Sequence, residues 1–279
     1  MPILPSLPAR ACNAHCHVIG PRARFLFPDG AAYVPAADAP REALYALNDR
    51  HGLQRCVVVQ SSAHGFDNSA AAWALAGRPG HYRGIALLPT DVADEELRRL
   101  DRAGFCGVRF NFMAHLGAGA PVEDMLALAA RFAPLGWHLQ VHTRPDMLPF
   151  LGVALRNASV PVVIDHIGRI DASLGLQQPA FVALQRLMED DRFWVKVSGI
   201  DRITKTGPPY ADALPFAQQL VADHGERVVW GNDWPHPNHA EARVDDDLLL
   251  TLMAQIAPTD DARQRLLVDN PQRLYGFAP

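Results

Sequence analysis

Short runs of aliphatic and β-branched residues recur along the chain at residues 11–17, 55–60, 83–88, 107–111, 138–142, 160–166, 193–198 and 227–233. Each has the length and composition of a buried strand. Between them, residues 41–51, 68–76, 94–103, 122–132, 145–157, 179–190, 211–224 and 245–256 carry apolar positions at helical spacing. Asp94, Glu95 and Glu96 load carboxylates into one first turn, where the positive end of a helix dipole favours them. Gly104 and Gly136 stand just past two helix ends, where a left-handed residue closes the last turn. A last amphipathic run, 259–268, precedes DNPQRLYGF.

Strand and helix alternating eight times predict parallel βαβ units, and eight such units close into an α/β fold of the (β/α)8 TIM-barrel type. The alternative is a doubly wound open sheet. That fold favours a glycine-rich phosphate turn after the first strand, and none follows NAHCH at 13–17. With no linker or low-complexity run, residues 1–279 are expected to form one barrel domain.

Composition narrows the function. Apolar residues make up 49% of the chain, enough for a large core. A formal net charge of -4, from 26 basic and 30 acidic residues, gives no footprint for nucleic acid or an anionic membrane. No apolar run approaches the roughly 20 residues of a membrane span. Residues 1–10 lack the layout of a signal peptide and are expected as a surface arm. Cys12, Cys16, Cys56 and Cys106 show no zinc spacing and are expected as small buried hydrophobes. The expected setting is the cytoplasm, as a monomer or small homo-oligomer.

In such barrels, chemistry sits where the strands end. Here the strand ends are polar: His15 and His17, Ser61 and Ser62, Arg109 and Asn111, His142, Asp165 and His166, Lys196 and Ser198, then Asn232, Asp233 and His236. On a strand, His15 and His17 share a face about 6.6 Å apart. His15, His17, His142, His166 and Asp233 together offer imidazole and carboxylate ligands for a divalent ion such as zinc. A metal-free site is equally sensible: histidines polarise a carbonyl while Asp233 takes a proton from water. Asp233 could instead be a structural carboxylate. Arg109, and Arg202 in GIDRITKTGPP, suit an anionic substrate or an ion pair with a neighbouring acid. Arg144 and Arg169 are weaker candidates for the same role. His51, His81, His224 and His239 fall away from strand ends and are expected in solvent. His138 opens its strand and is expected at the opposite end of the barrel.

H-x-H on strand one, a histidine ending strand five, DHIGR on strand six and GNDWPHPN on strand eight resemble the amidohydrolase superfamily in its amidohydrolase-2 branch. Within that branch the chain is most similar to the 2-pyrone-4,6-dicarboxylate lactonases. VVVQ, GVRFNF, TGPP and LLVDNPQRLY agree in order and spacing over nearly the whole chain. The resemblance implies a hydrolase that opens a small anionic lactone in aromatic catabolism. Asp233 would then shuttle a proton, with His15, His17 and His166 around the reaction centre. Arg109, Arg202, Tyr33, Ser62, His115 and His236 would contact substrate. Two positions depart from the lactonase pattern: His115 replaces an expected arginine, and His142 replaces a tyrosine. His142 restores the wider superfamily's metal-ligand pattern, so the implied cofactor is one divalent ion on His15, His17, His142 and Asp233, or none. The alternatives are a metal-dependent sugar lactonase or decarboxylase of the same superfamily, or a non-catalytic small-ligand binder.

Overall fold

The eight expected strands form as β1 (Cys12–Cys16), β2 (Arg55–Val59), β3 (Tyr82–Ala86), β4 (Phe105–Asn111), β5 (His138–His142), β6 (Val162–Ile164), β7 (Phe193–Lys196) and β8 (Val228–Val229). Each pairs in parallel with the next. The segment following β8 closes the ring onto β1. The Ala14 amide donates to the Trp230 carbonyl at 2.8 Å, the Asp233 amide to the His15 carbonyl at 2.9 Å, and the His17 amide to the Trp234 carbonyl at 2.7 Å. Gly231 lies in this seam for a steric reason: a Cβ there would stand 2.4 Å from the His15 nitrogen. This computed structural model describes residues 4–116, 119–237 and 244–279.

Helices cover the outside at Arg41–His51, Ser69–Ala76, Asp94–Arg102, Val122–Phe132, Leu148–Leu155, Pro179–Met188, Leu214–His224 and Asp246–Ile256. Their apolar faces and the outward strand residues form one core that includes Leu100, Leu128, Phe132, Val141, Leu184 and Phe216. Each such buried side chain contributes about 1.5–3 kcal/mol of hydrophobic stabilisation. Cys12, Ala14, Val57, Val59, Ile85, Val163 and Val229 fill a second cluster with Tyr275 and Phe277. Tyr275 packs on His138 at the start of β5, so the C-terminal segment plugs the barrel end opposite the strand termini. The run 259–268 forms a helical turn, Asp260–Gln264, then a wider π turn, Arg265–Asp269. The four cysteines are buried and free. No described helix is long and apolar enough to cross a membrane.

Two local departures place the site. The register of β1 shifts between Asn13 and Cys16. Cys12 and Ala14 belong to the inner cluster, whereas Cys16 packs in the outer one. A bulge of this kind re-aims the side chains after it, so His15 and His17 take the inner face that strict alternation from Ala14 would deny to His15. The sixth and eighth strands are also shorter than the runs 160–166 and 227–233. The chain leaves the sheet early for left-handed turns: φ is 50° at His166, 54° at Ile167, 55° at Arg169 and 63° at Asp233. That conformation is costly for side-chain-bearing residues, most of all for β-branched Ile167. Both strained turns present their side chains at the barrel mouth.

Candidate active site

The mouth encloses a cavity of about 300 Å³, lined by residues from at least six strand ends: His17, Ser62, Arg109, His142, His166, Arg169, Arg202 and Asp233, with Tyr33, His115, Leu116 and Pro237 at its edge. Asp233 is 2% exposed and has two different oxygens. Its Oδ2 accepts from Arg202 Nε at 2.9 Å and lies 2.8 Å from Arg202 Nη2. Its Oδ1 faces His17 Nε2 at 3.2 Å, His15 Nε2 at 3.6 Å and His166 Nε2 at 4.0 Å. Burial pushes this carboxyl up, but the Arg202 guanidinium outweighs it and holds it well below the usual range. It is therefore ionised at neutral pH.

The histidines are not equivalent. His17 Nδ1 lies 2.8 Å from the Val59 carbonyl and must donate to it, so in the neutral ring Nε2 keeps a lone pair toward Asp233. His142 Nδ1 donates to Asn111 Oδ1 at 3.2 Å, and Asn111 Nδ2 donates to Ser62 Oγ at 3.3 Å. His166 Nδ1 meets the Ser198 hydroxyl at 2.9 Å. Burial holds His142 and His166 well below the ordinary imidazole value, with Arg109 adding to the effect on His142, so both are neutral at pH 7.

Beneath the cavity lies a layer that strand-end positions alone do not single out. His15 is wholly buried and does not line the cavity; its ring lies 5.1 Å from that of His17 and 4.5 Å from that of His166. Asp165 is also wholly buried, 2.9 Å from Arg109 Nε and 3.7 Å from Lys196 Nζ, and accepts from Gln140 Nε2 at 2.9 Å. Burial raises the Asp165 carboxyl, yet the Arg109 and Lys196 cations hold it well below the usual range. Burial lowers the Lys196 ammonium to about 8, against the pull of Asp165.

Several expectations change in this light. Arg202 is committed: two nitrogens clasp Asp233, and Nη1 donates to the Pro237 carbonyl at 2.8 Å. Arg109 both lines the cavity and pairs with Asp165. Arg169, a weaker candidate by sequence, lines the cavity with no hydrogen-bond or ion-pair partner among the described residues. Burial and the nearby Arg202 lower its guanidinium to about 10, so it stays charged. Arg144 pairs instead with Asp146 at 3.0 Å. His236 leaves the cavity lining, because its left-handed backbone turns the ring to Asp246 at 3.1 Å. Tyr33 lines the cavity, hydrogen-bonded to the Ser61 hydroxyl at 2.9 Å, and His115 lies at its exposed edge. Away from the site, His51 is buried on Asp247 at 2.8 Å rather than solvated, and His224 meets Gln185 at 2.9 Å. His81 is exposed, and His239 lies outside the described residues.

Two groups among the described residues have donor atoms close enough to share a cation: His15, His17 and Asp233, and His15, Asp165 and His166, each within 4.8 Å. His15 Nε2 is buried with no hydrogen-bond partner, as an open ligand atom would be. The donor set of the first group therefore fits a divalent ion. His142 belongs to neither group; Asn111 holds its Nδ1, and its ring lies 5.3 Å from that of His166.

A barrel whose strand ends gather histidines, a strained aspartate and arginines over one small cavity defines an enzyme site. The chain belongs to the amidohydrolase family, whose profile matches residues 12–277. It is 41% identical to a 2-pyrone-4,6-dicarboxylate hydrolase of Comamonas testosteroni, over 96% of this chain and 91% of that one. It is 37% identical to a 4-sulfomuconolactone hydrolase of Rhizobium radiobacter, over 99% and 93%. Among solved structures, a probable 2-pyrone-4,6-dicarboxylic acid hydrolase of Acinetobacter baumannii with citric acid bound superposes with a TM-score of 0.84. It is 27% identical, over 96% of this chain and 100% of that one.

Proposed function

We propose that the protein hydrolyses the ring of a small lactone bearing a carboxylate, of the 2-pyrone-4,6-dicarboxylate kind for which its relatives are named. One observation carries this reading: an ionised Asp233 oxygen, free of Arg202, faces the cavity beside Arg169, which has no hydrogen-bond or ion-pair partner among the described residues. Asp233 Oδ1 takes a proton from water, and the resulting hydroxide attacks the ring carbonyl carbon. With His17 neutral, its Nε2 and Asp233 Oδ1 are two acceptors 3.2 Å apart, so the proton has a place to be shared. His166, with Nδ1 accepting from Ser198, turns an Nε2 proton to the carbonyl oxygen as negative charge develops there. The tetrahedral centre collapses, the ring C–O bond breaks, and Asp233 returns its proton to the leaving oxygen. The product carries a new carboxylic acid, which loses its proton to solvent as the carboxylate.

Arg169 supplies the anchor for the substrate's own carboxylate, with Arg109 beside it in the lining. A hydrogen bond to a charged group is worth about 1.5–3 kcal/mol, or roughly 10- to 100-fold in binding. Arg169→Met is therefore expected to raise KM for a carboxylated lactone by about that factor and to leave KM for a neutral lactone nearly unchanged. Steady-state kinetics on the two substrates checks this. Equal effects on both would remove Arg169 from the binding role.

A metal-assisted variant is favoured by the fit of His15, His17 and Asp233, which would hold one divalent ion such as zinc. When bound, that ion would supply a Lewis acid for the carbonyl oxygen. Dialysis against a chelator separates the two routes: retained turnover supports polarisation by side chains, and lost turnover restored by zinc supports the ion.

A further inference from the structure

Lys196 has no place in the reaction drawn above, yet it is wholly buried at the end of β7, directly under His15. A buried ammonium is costly unless each proton finds an acceptor. Nζ donates to the Gln140 Oε1 at 2.7 Å and to the Ala14 carbonyl at 3.0 Å. Its remaining close acceptor is His15 Nδ1, at 3.3 Å. An ammonium offers three donors and no lone pair. Nδ1 can meet it only as an acceptor, so the neutral His15 ring carries its proton on Nε2. The rival partner for Nδ1 is Asp165 Oδ1, at 3.4 Å; Lys196 Nζ stands slightly nearer and can only donate.

We infer that Lys196 is a positioning residue that fixes His15 as the Nε2–H tautomer, opposite to His17. This rests on the reading of Asp233 as the base in the metal-free route, since a protonated Nε2 could not also ligate an ion. The Val59 carbonyl holds a proton on His17 Nδ1, so the neutral ring turns an Nε2 lone pair to Asp233 Oδ1. Lys196 places the His15 proton on Nε2, which faces the same oxygen from 3.6 Å, just beyond hydrogen-bond distance. Asp233 Oδ1 thus has one donor below it and one acceptor at its side. The donor steadies the carboxylate, and the acceptor leaves room for the proton taken from water. With His15 inverted, Oδ1 would face two lone pairs. A proton or cation would be drawn in to separate them, filling the base before substrate arrives.

Long-range proton–nitrogen correlation on protein labelled with 15N-histidine reads both rings, with His15→Gln and His17→Gln used for assignment. In the wild type His15 is expected to show a bare Nδ1 and a protonated Nε2, and His17 the reverse. A proton on His15 Nδ1 overturns the inference. In Lys196→Met, Asp165 is left as the only partner of Nδ1. His15 is then expected to invert while His17 does not change, and kcat to fall about 10- to 100-fold with little change in KM. A folded Lys196→Met protein in which His15 stays protonated on Nε2 also overturns it. Should that variant fail to fold, the wild-type spectrum alone decides. Both spectra are recorded without substrate. A wild-type protein with the expected tautomers but no lactone turnover would sink the proposed reaction and leave the role of Lys196 in setting the ring standing.

Discussion

Replacing Asp233 with asparagine is expected to lower kcat by about 10²–10⁴-fold, the usual cost of losing a general base, while the barrel still folds. The side chain keeps its size and can still accept from Arg202 through its amide oxygen. Arg202 also keeps the Pro237 carbonyl and the neighbouring Asp201 carboxylate, 3.6 Å away. What disappears is the only carboxylate among the described residues of the cavity lining. No described side chain at the mouth replaces it as a proton acceptor paired with a cation: His142 and His166 are neutral, but each has one ring nitrogen committed to a neighbour. Initial rates, with circular dichroism to confirm the fold, check this. Near-full turnover in the folded variant would remove Asp233 from the chemistry.

Removing Asp165 is expected to have the largest effect on stability. Asp165→Ala leaves Arg109 and Lys196 buried without their shared carboxylate, and breaking a buried ion network in this way costs about 3–5 kcal/mol. Arg109 is 4% exposed and Lys196 fully buried, so water cannot compensate either. The pH dependence follows from the sign of the shift. The folded-state pKa of Asp165 lies below its unfolded value, so its contribution is fully present above the unfolded pKa of about 4 and is lost as pH falls through the folded one. Urea unfolding should show the same gap between wild type and variant at pH 7 and pH 5.5, narrowing only below about pH 4. A variant as stable as the wild type at pH 7 would show that the network contributes no net stability.

The barrel was legible because parallel strands buried on both faces must be apolar runs, and helices covering them must be amphipathic. Strand ends were less legible at 165–169 and 230–236. There the left-handed turns that aim His166, Arg169 and Asp233 break the extended pattern without leaving a compositional mark. Polar residues at strand ends located the mouth, because position along a strand is a one-dimensional property. Partnership across the barrel is not. Nothing in GIDRITKTGPP says that Arg202 will clasp Asp233, and nothing in DHIGR says that Arg169 will find no partner among the described residues. His15 and His17 read as a matched pair. The bulge in β1 puts one under the floor and the other in the wall, and their opposite neighbours, Lys196 and the Val59 carbonyl, are set only when the ring of strands closes.

The most direct test follows acid release in a pH-stat from 2-pyrone-4,6-dicarboxylate and from an uncharged lactone of similar size, with purified protein. Ring opening by the wild type should release one acid equivalent per dicarboxylate consumed, far above the buffer rate, with marked preference over the uncharged ring. Release no faster than buffer on every carboxylated lactone tried would contradict a hydrolytic role for this cavity.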